Sequence, residues 1–222
     1  FVHIPTDVTK PEMVDAAIAE VLRQEDHIDV LINNAGFGVS GAVEFTEPAA
    51  AKKQLEVNFF GMVNVCHAVL PVMRGAGHGR IVNLSSVAGV VPIPFQTYYS
   101  ASKAAINSYT MALANEVKPF GVQVCAVMPG DIRTGFTAAR EKNQAGDDVY
   151  HGRIARSVAG MEHDEQTGMS PETAGPYIAS VATRRSVKPL RSIGLKYKFF
   201  CVLAKLLPVR TLNWLVGLIY AK

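Results

Sequence analysis

What most limits the folds open to this chain is a repeated pattern. Short, wholly apolar runs, each stopped by a polar, Gly or Pro residue, alternate with amphipathic segments of helix length. Val30-Leu31-Ile32 runs into Asn33-Asn34-Ala35-Gly36, Ile81-Val82-Asn83-Leu84 into Ser85-Ser86, and Val124-Cys125-Ala126-Val127-Met128 into Pro129-Gly130. Runs of this kind suit strands buried on both faces, as in parallel sheets. Between them, Thr9-Lys10-Pro11-Glu12 opens a helix, with Pro early and Glu at the capping-box position, and Met13, Ala17, Ile18, Val21 and Leu22 give its apolar stripe. Thr46-Glu47-Pro48 opens a long helix through Leu55, Phe60, Val63 and Val69, which Pro71 is expected to end or bend. A third helix is expected from about Tyr98 to Val117. Strand, helix and strand at this spacing make parallel crossover units. The expected fold class is therefore α/β, a doubly wound, Rossmann-like parallel sheet with helices on both faces. Ligands of such sheets lie at the C-terminal strand ends, where Asn34, Ser86 and Pro129-Gly130 all fall.

The remaining segments are less regular. Phe1-Val2-His3-Ile4-Pro5 reads as a mid-sheet strand, so the sheet is expected to be N-terminally truncated in this sequence. Residues 131–168 are polar and Gly-containing, which suggests a lid or disorder. Ser170-Pro171-Glu172 restarts a helix that runs to about Thr183. With 49% hydrophobic residues and no long apolar span, a soluble globular protein with a sizeable core is expected. Cys66, Cys125 and Cys201 lie in apolar surroundings without paired spacing, as buried free thiols of a cytoplasmic protein would. The six histidines form no ligand pair at helical spacing, so no metal is expected.

One stretch combines polar residues in a way that suggests chemistry. Tyr99 and Lys103 in Tyr99-Ser100-Ala101-Ser102-Lys103 are four apart and share a helix face. Tyr98 is one residue too early to do so. Ser86 stands at a strand end thirteen residues before Tyr99, with Ser85 as its rival. A single Tyr-x-x-x-Lys pair is weak evidence, because most such pairs are solvated helix faces. Gly36-Phe37-Gly38-Val39-Ser40-Gly41 matches the dinucleotide pattern, yet no helix opens at Gly41 and no Asp or Glu lies between Glu56 and Glu116. It reads as a loop. Ala42 breaks the nucleophile-elbow pattern in Gly38–Ala42.

Taken together, the motifs resemble those of the short-chain dehydrogenase/reductase family in order and spacing: Asn34-Ala35-Gly36, Asn58, Ser86-Val87-Ala88-Gly89, Tyr99–Lys103 and Pro129-Gly130 with Thr134. The resemblance extends over about residues 1–185, the expected Rossmann-like domain. Residues 186–222 are expected to be a helical extension packed on it. The resemblance implies an NAD(P)-dependent oxidoreductase interconverting a carbonyl and an alcohol, with Tyr99 as acid/base, Ser86 on the carbonyl oxygen, Lys103 beside the phenol and on the ribose, and Asn58 positioning Lys103. Lys103 is expected to draw the phenol pKa down toward neutrality. Asp7, Val8, Asn34, Ala35, Gly36, Pro129, Gly130, Ile132 and Thr134 would join Tyr99 and Lys103 in contacting the cofactor. Phe95 and Phe136 would join Ser86 and Tyr99 around a lipophilic substrate. The family's Gly-rich phosphate turn and the strand that separates NAD from NADP users are not in this sequence. A non-catalytic binding or assembly protein is therefore an alternative, as is a sugar-nucleotide epimerase or dehydratase. A homo-oligomer built on the long helices is implied by the family.

The charge is uneven. The net charge is +3, but no Asp or Glu follows Glu172, while Arg184, Arg185, Lys188, Arg191, Lys196, Lys198, Lys205, Arg210 and Lys222 all do. Residues 196–222 are also strongly apolar, divided by Pro208 into two helices too short to span a bilayer. They are expected to cover the substrate pocket or a subunit interface. A peripheral membrane contact is the competing expectation. No nucleic-acid reading motif accompanies the charge.

Overall fold

Four parallel strands carry the fold in the computed structural model, which describes residues 1–221. They are β1 (Val30–Asn33), β3 (Gly79–Leu84), β4 (Val122–Met128) and β6 (Leu190–Ser192), in the spatial order β1-β3-β4-β6. The register sets Asn33 beside Asn83, Val82 beside Cys125 and Ala126 beside Leu190. A separate two-stranded patch pairs β2 (Val39–Ser40) with β5 (Glu141–Lys142), also in parallel.

Alternate residues of the central strands face opposite layers. Ile81, Val122 and Val124 pack on Met62, Cys66, Val69 and Met73 of α3 (Gly61–Ala76) and on Ile106 and Leu113 of α4 (Thr97–Glu116), with Ile18 of α1 (Pro11–Gln24) at the margin. Val82, Cys125 and Val127 pack on Val181 and Ala182 of α6 (Pro171–Thr183). Both faces are covered, which is why the strands are continuously apolar. The fold is the expected α/β, Rossmann-like parallel sheet. All three thiols are free and buried.

Several expectations are corrected. Residues 1–6 form no strand, and Phe1 and Val2 are exposed. A strand persists only beside a partner, and none of the described strands pairs with this segment. The capping box at Thr9 does not form. Helix α1 starts after Lys10, which makes no side-chain cap, because the Thr9 hydroxyl and amide both donate to Asp7 Oδ1. The long helix is continuous over Pro48–Ala76, as α2 (Pro48–Leu55), a π-helical turn over Glu56–Phe60 and α3. Pro71 does not end it; Gly77, in the left-handed region at φ 74°, does. By length and composition this helix could cross a bilayer, against the expectation of no such span. Its apolar stripe is instead buried against the sheet.

The region 131–168 holds a 14-residue helix, α5 (Arg153–Gln166). Its Ile154, Val158 and Met161, at positions i, i+4 and i+7, are buried. Residues 186–222, expected as helices alone, open with β6 before α7 (Leu195–Leu206) and α8 (Val209–Tyr220), which Pro208 divides as expected.

Candidate active site

The site forms where β3 ends and α4 begins. Lys103 is buried, and its Nζ donates to the Leu84 carbonyl at 2.7 Å, which fixes the ammonium at the C-terminal end of β3. One helical turn earlier, the Tyr99 ring lies with its centroid 5.6 Å from that Nζ. Two adjacent serines complete the junction. Ser85 Oγ is buried and donates to the Lys103 carbonyl at 3.0 Å, tying β3 to α4. Ser86 caps the 3-10 turn Val87–Gly89, its Oγ accepting from the Ala88 amide at 3.1 Å. That bond occupies an oxygen lone pair and leaves the hydroxyl proton free to donate. The turn approaches α4 so closely that a Cβ on Gly89 would stand 2.7 Å from the Lys103 carbonyl carbon.

Burial dominates the electrostatics. It pushes the Tyr99 phenol up to about 12, against the opposing pull of a hydrogen bond with Ser86, and pushes Lys103 down to about 8. The expected lowering of the phenol by Lys103 is therefore corrected: desolvation drives both groups toward their neutral forms. At neutral pH the phenol keeps its proton, as a proton donor must.

These groups open onto a cavity of about 920 Å³. Of the residues expected to serve a cofactor, Asn34, Gly36, Tyr99, Lys103, Pro129, Gly130, Ile132 and Thr134 line it, and Asp7, Val8 and Ala35 do not. Asp7 is exposed and holds Thr9, while the Val8 carbonyl accepts from Asn64 Nδ2 of α3. Asn58 sits on the π turn and is buried. Its Oδ1 accepts from the Phe37 amide, and its Nδ2 donates to the Phe37 carbonyl and to Ser102 Oγ. It thereby clamps the loop after β1 onto α4. Asn33 donates to Asn83 Oδ1 within the sheet.

Phe136 lines the cavity, its ring centroid 5.6 Å from that of Tyr99. Phe95 does not. It has φ 60° and is buried with Ala42, Ile154, Val158 and Met161; Val91, Ile93 and Gln96 of the same loop line the cavity instead. Phe95 is thus a core residue, packed against α5, a helix where the sequence suggests a lid or disorder. That helix also brings Met161, Asp164 and Glu165 to the wall. The apolar spacing of Ile154, Val158 and Met161 was the available signal. Glu165 pairs with the buried Arg140 and accepts from Thr137 Oγ1 at 2.6 Å. Helices α7 and α8 supply Tyr197, Phe200, Leu203, Leu212, Leu215 and Val216, and the Tyr197 hydroxyl donates to Asp131 Oδ2 at 2.6 Å.

Histidines not at helical spacing do meet in space. His27 and His78, at the starts of β1 and β3, approach Asp29 at 3.1 and 3.4 Å. All three are exposed and lie at the strand ends opposite the cavity.

A half-buried Tyr99 and Ser86 thus stand beside the buried Lys103 at the C-terminal edge of a Rossmann-like sheet, and comparison with known proteins gives the family. The short chain dehydrogenase family model matches residues 1–145. The 3-ketodihydrosphingosine reductase of Bacteroides thetaiotaomicron is 38% identical over 97% of this chain and 81% of its own length. A short-chain dehydrogenase from Streptomyces avermitilis superposes with TM-score 0.79 at 31% identity, covering 90% of this chain and 72% of that one. ElxO with NADP bound gives TM-score 0.70 at 25% identity, over 87% and 76%. The chain belongs to the short chain dehydrogenase family and is an NAD(P)-dependent oxidoreductase; among its solved neighbours, ElxO carries NADP and a xylitol dehydrogenase carries NAD+.

The residues present fit the nicotinamide end of such a cofactor. Lys103 donates one N–H to Leu84 and has two more. Gly36 leaves open the space where a Cβ would lie 3.1 Å from Asn58 Oδ1 and 3.8 Å from Lys103 Nζ.

Proposed function

We propose that the protein reduces the ketone of a long-chain, lipophilic substrate, and oxidises the matching secondary alcohol in reverse, with Tyr99 as the acid/base. The observation that carries this reading is a large cavity walled by Phe136, Phe200, Leu203, Leu212 and Leu215, with Ser86, Tyr99 and Lys103 in its lining. The Bacteroides relative, named as a reductase of 3-ketodihydrosphingosine, supports the same substrate class. Asp131 and Glu165 are already bonded to Tyr197 and to Arg140 and Thr137. In this reading Asp164, also in the cavity wall, is the carboxylate that meets a cationic substrate group.

A nicotinamide bound there would supply or accept the hydride. Ser86, held by the Ala88 amide, donates a hydrogen bond to the substrate oxygen as its negative charge develops. Tyr99 delivers its phenol proton to that oxygen. Lys103, anchored by Leu84, holds a positive charge beside the phenol and offers its remaining N–H groups to ribose hydroxyls. Asn34, Gly36, Pro129, Gly130, Ile132 and Thr134, which line the cavity, would hold the nicotinamide end. The exposed Phe60 and Met111 on the long helices suit a homo-oligomeric enzyme.

The test is titration with NADH and NADPH, followed by assays on 3-ketodihydrosphingosine and on acetoacetate. Expected are cofactor binding, a preference for the lipophilic ketone, and a loss of about 10²–10⁴ in kcat for Tyr99→Phe. Turnover of the small charged ketone alone would remove the substrate reading. Failure to bind either cofactor would remove the enzymatic one.

A further inference from the structure

The two C-terminal helices wall the cavity with one face and leave the other uncovered. On α7, Tyr197, Phe200 and Leu203 turn to the cavity and Cys201 is buried. Leu195, Phe199, Val202 and Leu206, spaced by four, three and four residues, form a second stripe that is 54–83% exposed. On α8, Trp214 and Leu218 are exposed one turn apart. Single exposed apolar residues need no explanation, but a stripe repeated on consecutive helices does.

The charges around the stripe indicate what covers it. At 100° per residue, Lys198 and Lys205 flank the α7 stripe on one side and Lys196 on the other. Arg210 stands in the first turn of α8. No Asp or Glu follows Glu172 in the sequence. The acids that approach these helices, Asp131 and Asp164, are in the cavity wall. A second copy seated on this face would set basic stripe against basic stripe with no acid between them. An anionic lipid surface meets both features: the apolar side chains enter the acyl boundary while the long cationic ones reach the phosphates. Each helix has 12 residues, about 18 Å, short of the roughly 30 Å hydrocarbon core. The contact is therefore peripheral.

We infer that α7 and α8 dock the protein on an anionic bilayer surface, with the mouth of the cavity on the docked side. Ile219 and Lys196 mark that mouth, since both are exposed and both line the cavity. A lipophilic substrate then passes from the bilayer to Ser86 and Tyr99 without crossing water. That route rests on the ketone-reductase reading; the docking itself does not.

The experiment is co-sedimentation of the full chain with vesicles of phosphatidylcholine plus phosphatidylglycerol, and of phosphatidylcholine alone, at low and high salt. Trp214, the single tryptophan, reports insertion through a blue shift and through quenching by brominated phosphatidylcholine. Expected is binding to the anionic vesicles that weakens with salt. Phe199→Ser/Leu206→Ser should lower partitioning by about tenfold or more, and Lys198→Glu/Lys205→Glu should abolish the preference for anionic lipid. None of these four residues lines the cavity, so turnover of a water-soluble ketone should be unchanged in both variants. Docking is overturned if the parent stays in the supernatant with both vesicles, or if both variants sediment like the parent. It is also overturned if light scattering shows a dimer that the apolar variant converts to monomer. Vesicle binding without any turnover would leave the docking standing and remove the reductase reading.

Discussion

Two adjacent serines at the end of β3 have separate tasks. Ser85 spends its proton on the Lys103 carbonyl, whereas Ser86 is held by an amide and keeps its proton for the cavity. Ser86→Ala should therefore lower kcat by about 10²–10³, with a stability loss of about 1 kcal/mol from the missing cap. Ser85→Ala should cost about 1–3 kcal/mol of stability and leave kcat nearly intact. Kinetics and thermal melts on the two variants separate the roles. Lys103 gives a pH dependence. Its pKa falls from the ordinary 10.5 to about 8 through burial, so the unfolded chain binds more protons between those values. Stability should rise with pH through that window, and Lys103→Met should remove the rise. Ketone reduction should fall as pH rises through about 8, when the ammonium beside Tyr99 is lost; a profile of kcat/KM against pH checks this. The Tyr99/Lys103 pair was legible because four-residue spacing on a helix is local. Their pKa directions were not, since burial is a property of the assembled fold.

At the scale of elements, α5 was the costly omission. Its sequence is polar enough to pass for a loop, and only Ile154, Val158 and Met161 betray a helix. Once formed, it captures Phe95 for the core and carries Glu165 to Arg140, whose side chain is 0% exposed against 13% for its partner. Arg140 also lies over the Phe136 ring, which stands against Tyr99. Arg140→Met should cost about 3–5 kcal/mol by stranding the Glu165 carboxylate, and Arg140→Met/Glu165→Leu should recover most of that loss. Urea titrations of the two variants measure it. The π turn was equally hidden. Pro71 is where the sequence suggests that the long helix ends or bends, yet the helix runs through it; its irregular turn is instead the one that carries Asn58, which together with Gln54 donates to the Phe37 carbonyl.

At the scale of the molecule, the doubly wound sheet could be read from β1, β3 and β4, because strands buried on both faces admit few other residues. The short β6 could not: Leu190-Arg191-Ser192 has no apolar run, and only its pairing with Ala126–Met128 makes it a strand. The same short pairing leads straight into α7, so the C-terminal wall of the cavity hangs from the sheet by one three-residue strand. Loss of that pairing should free α7 and α8 while β1, β3 and β4 stay folded, and hydrogen exchange should show the amides of these two helices opening first.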